Sequence, residues 1–377
     1  MAIRYGTDPH VRTIAVAFRQ CAPLIATAGE LQSLSGPDPI VGSLRSELPL
    51  LRRLKMISRW INGNPFMLST GSGPLAIALS DLVAAVYEYL NLALLLDGTG
   101  LYFGLRDLSR AGGSLVRVVA AAGEVDAAIS VASYRAGRQD WIRPEFLPGV
   151  PAADLIDVCH PLLQSAVPNS IVVRPGHGVL VTGSNMSGKS TFLRTVGVNA
   201  ILAQTINTCL ARAYRAPILQ VRSCIGRADD LLTGTSYYIA EVEALLELVR
   251  ASTGSDPHLF VLDELFRGTN AVERIAAGQA VLTQLLEDTG GMTKPHLVLA
   301  ATHDLELVEL AAGRYEPYHF GDSMGADGLV FDHRLQRGPS TSRNAIALLR
   351  LHGAPDALIS RAMATAAMLD EQRARIG

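Results

Sequence analysis

Lysine is nearly missing from this 377-residue chain. It stands only at Lys55, Lys189 and Lys294, and arginine carries the rest of the basic charge. Cysteine is scarce as well, at Cys21, Cys159, Cys209 and Cys224, with spacings that match neither a zinc site nor a redox pair. That excludes a disulfide scaffold and predicts a reduced, cytoplasmic protein whose thiols are packed inside. An excess of either charge is also lacking: 33 basic against 35 acidic side chains leave a net charge of −2. No whole-chain electrostatic footprint for nucleic acid follows, although a local basic face is compatible with it. Long apolar runs are absent too. The most apolar stretch, Leu82 to Leu96, is interrupted by Glu88 and Asn91 and is short for a membrane span, so it predicts a buried helix. The start, Met1-Ala2-Ile3-Arg4, has no apolar core behind it and reads as no secretory signal.

What is present is apolar residue in quantity. At 49% hydrophobic and 18% charged, the chain can bury a large core, and its length suits two or three domains. Residues 1–150 read as mainly α-helical. Val11 to Leu34, Pro39 to Asn62, Pro74 to Leu96 and Leu105 to Ala136 carry apolar residues at helical spacing. Breakers, among them Gly71-Ser72-Gly73-Pro74 and Asp97-Gly98-Thr99-Gly100, are expected to separate them. Arg143 to Pro151 reads as a connector. From residue 151 to 377 the texture changes. Gly178-Val179-Leu180-Val181-Thr182, Leu259-Phe260-Val261-Leu262 and Leu297 to Ala301 are short apolar runs with helical segments between them. Such alternation predicts an α/β fold with a parallel sheet covered on both faces. Ligands of such sheets sit at the carboxyl ends of the strands.

Each apolar run leads into polar residues suited to phosphate chemistry. After the first comes Gly183-Ser184-Asn185-Met186-Ser187-Gly188-Lys189-Ser190-Thr191, which fits G-x-x-x-x-G-K-[ST]. Glycines let the backbone curl so that successive N–H groups face phosphate oxygens. Lys189 offers charge to the β/γ-phosphates, and the Ser190 hydroxyl can ligate Mg²⁺. The following helix, from Ser190 to about Ala203, would present its N-terminus to the anion. The second run ends in Asp263-Glu264. Asp263 is placed to hold Mg²⁺, and Glu264 to orient or deprotonate an attacking water. The third ends in Thr302-His303-Asp304, where His303 can reach a γ-phosphate or the water beside it. A fourth segment, Asp229 to Tyr238, leads into a helix from Ile239 to Arg250. Ser236 and the helix-start amides there form either a second anion-binding end or an ordinary cap.

In combination these motifs resemble the MutS family of DNA mismatch-repair ATPases. Asn185-Met186 inside the P-loop is characteristic of that family. Gly226-Arg227-Ala228-Asp229-Asp230, Asp263-Glu264-Leu265-Phe266-Arg267-Gly268-Thr269-Asn270, Ala301-Thr302-His303 and Arg337 to Ala345 are similar to further family segments. His160-Pro161 and Val167-Pro168-Asn169 resemble the approach to the ATPase domain. The resemblance implies an ABC-class ATPase that binds ATP and Mg²⁺. It also implies a homodimer with composite ATP sites, in which Gly234 and Ser236 face the partner's γ-phosphate. Residues 1–150 then become a lever/core-like domain between ATPase and DNA. The sequence departs from the family at Ser165, Ala166 and Val167, near where an adenine-stacking aromatic is usual, and in the signature turn at Thr235 and Tyr237. At this length the chain is expected to be either a divergent, short member without the mismatch-recognition domain or an N-terminally truncated form of a longer protein.

The expectation that follows is an ATP-hydrolysing dimeric switch acting on DNA in repair or recombination. Arg52, Arg53, Lys55 and Arg59 beside Trp60 are the best local basic cluster for a DNA contact, or else a solvated helix face. The alternative is an ATP-gated scaffold with a protein or membrane partner and no mismatch recognition. A transporter ATPase subunit fits less well, because the signature reads Thr-Gly-Thr-Ser and the helical region precedes the P-loop.

Overall fold

The computed structural model describes residues 96–147, 152–184, 186–226, 237–254, 256–287, 295–325, 328–340 and 345–376, with isolated positions 23, 86 and 89. The basic cluster at residues 52–60, most of the apolar stretch from Leu82 to Leu96, Asn185, and Asp229, Asp230, Gly234 and Ser236 lie outside these residues. The chain divides into two compact units, residues 1–137 and 138–377.

In the first unit the described element is α1 (Leu96–Ala136), a single helix. Ser114, Val118 and Ala121 are buried along it, the spacing of one helical face. The residues of the expected break, Asp97-Gly98-Thr99-Gly100, are themselves helical and lie within α1. Each internal glycine costs about 1 kcal/mol relative to alanine. Extending an existing helix needs no new nucleus, so two glycines do not stop a helix of this length.

The second unit is α/β. Its elements are β1 (Glu145–Phe146), β2 (Ala153–Val158), β3 (Asn169–Val173), β4 (Gly178–Thr182), α2 (Lys189–Ile206), β5 (Ala213–Ala216) and β6 (Gln220–Ile225). There follow α3 (Tyr237–Ala251), β7 (His258–Asp263), α4 (Ala271–Leu286), β8 (Leu297–Ala301) and α5 (Leu305–Leu310). The chain closes with β9 (Tyr315–Gly325), β10 (Gly328–Arg337), α6 (Ala345–Leu351) and α7 (Asp356–Ile376). Among the described residues, one sheet has the order β10-β9-β4-β8-β7-β6, parallel except for the β9–β10 hairpin. A smaller sheet has the order β1-β5-β2-β3. Residues 145–146 of the expected connector are β1, paired with Arg215 and Ala216 of β5.

The three apolar runs form the middle of the large sheet, and their residues divide by parity. Val179, Val181, Leu259, Val261, Leu297 and Leu299 join a core with Phe192, Leu193 and Val196 of α2. Leu180, Phe260, Leu262, Val298 and Ala300 join a second core with Leu245 and Leu248 of α3 and Leu282 and Leu285 of α4. Successive strand residues point to opposite faces, so continuous apolar runs are what a sheet covered on both sides requires. Register then aligns the strand ends: Val181 of β4 and Asp263 of β7 both pair with Ala301 of β8. Backbone bonds continue the ladder beyond the strands, from the Glu264 N–H to the Ala301 carbonyl (3.0 Å) and from the Thr302 N–H to the Val181 carbonyl (3.0 Å). Gly183, Glu264 and Thr302 therefore emerge side by side.

Candidate phosphate-binding site

The loop between β4 and α2 is shaped by two glycines. Gly183 has φ 140°, and a Cβ there would lie 2.8 Å from Ser187 Oγ and 2.9 Å from the Phe320 carbonyl. Gly188 has φ 117° and is the N-cap of α2 without a side-chain cap. A side chain at either position would meet both steric crowding and an unfavourable backbone region. Because no side chain caps α2, its first amides are left for another acceptor. Met186 is 84% exposed and also left-handed, at φ 71°.

Lys189 is buried and donates through Nζ to the carbonyls of Gly183 (2.7 Å) and Ser184 (3.1 Å). Its Nζ lies 3.7 Å from Glu264 Oε1. Burial pushes the Lys189 ammonium below its ordinary pKa, and the negative charges of Glu264 and Asp263 pull it back. Asp263 and Glu264 are themselves buried at the end of β7. Asp263 Oδ1 has no hydrogen-bond partner. Glu264 has φ 52° and Phe266 φ 57°, conformations that cost on the order of 1–3 kcal/mol each and persist where the surroundings over-determine them. Glu264 Oε2 is paired with the Arg267 guanidinium and lies 3.7 Å from His303 Nδ1. Asp304, beside His303, accepts two bonds from Arg274 of α4 (2.9 and 2.8 Å). That bond first, and Arg274's charge with it, holds the Asp304 carboxyl below its ordinary range.

Of the candidate residues, Gly183, Ser184, Met186, Ser187, Gly188, Lys189, Ser190, Thr191, Asp263, Glu264 and His303 are thus placed at one edge of the sheet. A cavity of about 470 Å³ opens there, lined among others by Ser184, Met186, Gly188, Lys189, Ser190, Thr191, Glu264, Arg267 and His333. Ser165, Ala166 and Val167 line it as well, where the resemblance led one to look for an aromatic. His303, half-exposed, does not line this cavity and meets the site through Glu264.

Several side chains here carried no expected role in the sequence. His333 of β10 has φ 53° and sits where the β9–β10 register shifts between Phe331 and Leu335. Its Nδ1 is 3.0 Å from the Ser187 carbonyl, which makes Nδ1 the protonated nitrogen of that bond. Asn169 holds the bulge: its Nδ2 donates to the His333 carbonyl (3.0 Å), and its Oδ1 accepts from the Leu335 N–H (2.7 Å). The buried Thr182 hydroxyl donates to the Tyr318 carbonyl (3.2 Å) and accepts from the Ser340 N–H (2.9 Å), tying the segment after β10 to the base of the loop.

A glycine-shaped loop between a buried parallel strand and a helix, with a buried lysine facing acids at the end of the next strand but one, defines an α/β P-loop domain. The family model for MutS domain V, an ABC-type P-loop ATPase domain, matches residues 179–370. The chain belongs to the MutS family. It is similar to DNA mismatch repair protein MutS of Natronomonas pharaonis, 34% identical over 48% of this chain and 21% of that protein. It is also similar to DNA mismatch repair protein MutS 2 of Halobacterium salinarum, 32% identical over 70% and 30% respectively. DNA mismatch repair protein MutS of Sorangium cellulosum is 30% identical over 79% and 33%. The chain spans about a fifth to a third of the length of these curated relatives. No described helix is long and apolar enough to cross a membrane.

Proposed function

We propose that this chain binds ATP with Mg²⁺, hydrolyses it, and works as a dimeric switch on DNA in repair or recombination. The observation that carries the reading is the meeting of Lys189 and Glu264 under the Gly183–Gly188 loop at the carboxyl edge of the sheet, with the charge of Asp263 acting on the same lysine. The relatives' names supply the DNA-repair setting.

The residues have distinct tasks in this reading. The loop amides and Lys189 hold the phosphates. Glu264 orients and deprotonates the attacking water, and His303, 3.7 Å from Glu264, follows the γ-phosphate. Ser190 and Asp263 would hold Mg²⁺. The buried, unpartnered Asp263 Oδ1 suits a cation, because a buried polar atom without a partner is costly. Among the described residues no cluster of three or more His, Cys, Asp or Glu forms a metal cage. Mg²⁺ is usually held by one or two carboxylates together with substrate phosphates and water. When bound, the ion would neutralise phosphate charge. Gly234 and Ser236 complete the partner subunit's site, and residues 1–150 transmit the change as a helical lever/core-like domain.

The test is steady-state ATP turnover together with DNA binding across a salt titration, on homoduplex, mismatched and branched DNA. Turnover that depends on Glu264, and DNA binding that weakens with salt, are expected. Absence of DNA binding at low salt, with turnover indifferent to DNA, overturns the DNA half of the reading and leaves an ATP-gated scaffold.

A further inference from the structure

The loop that carries Glu264 is held from outside the site by one buried side chain. Glu241 lies on α3, 5% exposed, and its Oε1 accepts the Phe266 N–H at 2.7 Å. Its Oε2 is buried with no hydrogen-bond partner. A buried carboxylate is expensive, and its one well-formed bond is spent on a backbone amide two residues beyond Glu264. A second contact lies one turn away. The Gly268 Cα faces the Tyr238 ring so closely that a Cβ there would meet ring and Cβ atoms at 3.1 and 3.2 Å. Tyr238 and Glu241 are i and i+3 on the same helix, so one face of α3 grips the loop twice. Between the grips, Phe266 is held left-handed, and Arg267 reaches back to Glu264.

We propose that Glu241 is a positioning residue for ATP turnover: by accepting the Phe266 N–H it fixes the loop from Leu265 to Asn270, and through that loop the direction of the Glu264 carboxylate. This rests on the reading of Glu264 as the group that acts on water. Hydrogen bonding is the operative property, more than charge. Burial raises the Glu241 carboxyl above its ordinary range, while the amides of Phe266 and Arg267 and the Arg267 charge oppose it. The neutral form that burial favours still presents an oxygen to Phe266. Glutamine presents the same oxygen, alanine none, and aspartate one that falls a methylene short.

The experiment compares Glu241→Gln, Glu241→Ala and Glu241→Asp in the full chain, reading kcat, KM for ATP and hydrogen exchange of the Phe266 amide. Glu241→Ala is expected to lower kcat at least ~10-fold with KM within ~3-fold, the signature of a lost transition-state contribution. The Phe266 amide should exchange faster, with α3 still protected. Glu241→Gln should return kcat and exchange to within ~3-fold of wild type. Glu241→Asp should follow alanine, and carries the test if the alanine variant does not fold. Wild-type kcat in both alanine and aspartate variants, or a glutamine variant as slow as alanine, overturns the proposal. So does a kcat loss with Phe266 exchange unchanged. Absence of turnover in the wild type would instead defeat the ATPase reading, and the exchange comparison would still decide whether Glu241 holds the loop.

Discussion

Glu264 stands between two cations: Arg267 pairs with its Oε2, and Lys189 Nζ lies 3.7 Å from its Oε1. The carboxylate is thereby held at the mouth of the phosphate loop, in a site where the two strand ends and the loop leave it little freedom. An acid so placed is separable from the cation that binds substrate, and the first expectation uses that separation. Glu264→Gln should lower ATP turnover by roughly 10²–10⁴-fold, the usual worth of a positioned base, with ATP still bound. Lys189→Ala should instead weaken ATP binding by roughly 10–100-fold, as loss of a charge-assisted bond of about 1.5–3 kcal/mol implies. Steady-state kinetics paired with calorimetric nucleotide titration read both.

Asn169 and His333 should act as one unit. Either alanine variant is expected to raise the nucleotide dissociation constant, Asn169→Ala because it frees the bulge that aims His333 at the loop. The two effects should be non-additive by at least ~0.5 kcal/mol in a double-mutant cycle, as for side chains that share a network. Strict additivity in calorimetric binding would show that Asn169 does not act through His333.

The Arg274–Asp304 pair should give acid-sensitive stability. The Asp304 carboxyl is held below its ordinary 3.8 in the folded protein. Its contribution is therefore complete above that value and is lost as pH falls through the lower, folded one. Asp304→Asn should cost about 1.5–3 kcal/mol at neutral pH, by the worth of hydrogen bonds to charged groups. The gap to wild type should hold constant from neutral pH down to about pH 5 and close below the ordinary carboxylate value. Urea unfolding at a series of pH values measures it.

Cys209 should resist alkylation in the native state. It is fully buried, and burial pushes its thiol up to about 12. The thiolate is the reactive species, so labelling by iodoacetamide at pH 8 should require unfolding. Half-buried Cys159 should label sooner. Mass spectrometry of peptides from briefly labelled protein checks the order.

The motifs legible in the sequence were those written in contiguous residues. Val179–Thr191 encodes strand, turn and helix in one stretch, and Asp263 and His303 each follow an apolar run. The parallel register then brings those strand ends level, which no single stretch specifies. His333 was illegible for a related reason: it reaches the loop from 146 residues beyond Ser187, on a hairpin whose bulge Asn169 binds at the His333 carbonyl and the Leu335 N–H. Arg267 was visible within the Arg-Gly-Thr loop without a role, because only the left-handed turn at Glu264 and Phe266 folds it back onto the acid. The connector at Arg143 to Pro151 hid strand β1, since two residues have no periodicity to read.

The parity of the three central strands has a consequence for how this chain can change over time. Val261 faces one core and Leu262 the other, while Asp263 keeps level with Ala301. One residue inserted in β7 would exchange the two faces and carry the acid about 3.3 Å along the strand, out of reach of Lys189. Lengthening is therefore barred inside β4, β7 and β8. It is open in the connections at their opposite ends, such as the stretch before His296 that leads into β8. New sequence can accumulate there without disturbing the edge where the reacting groups stand.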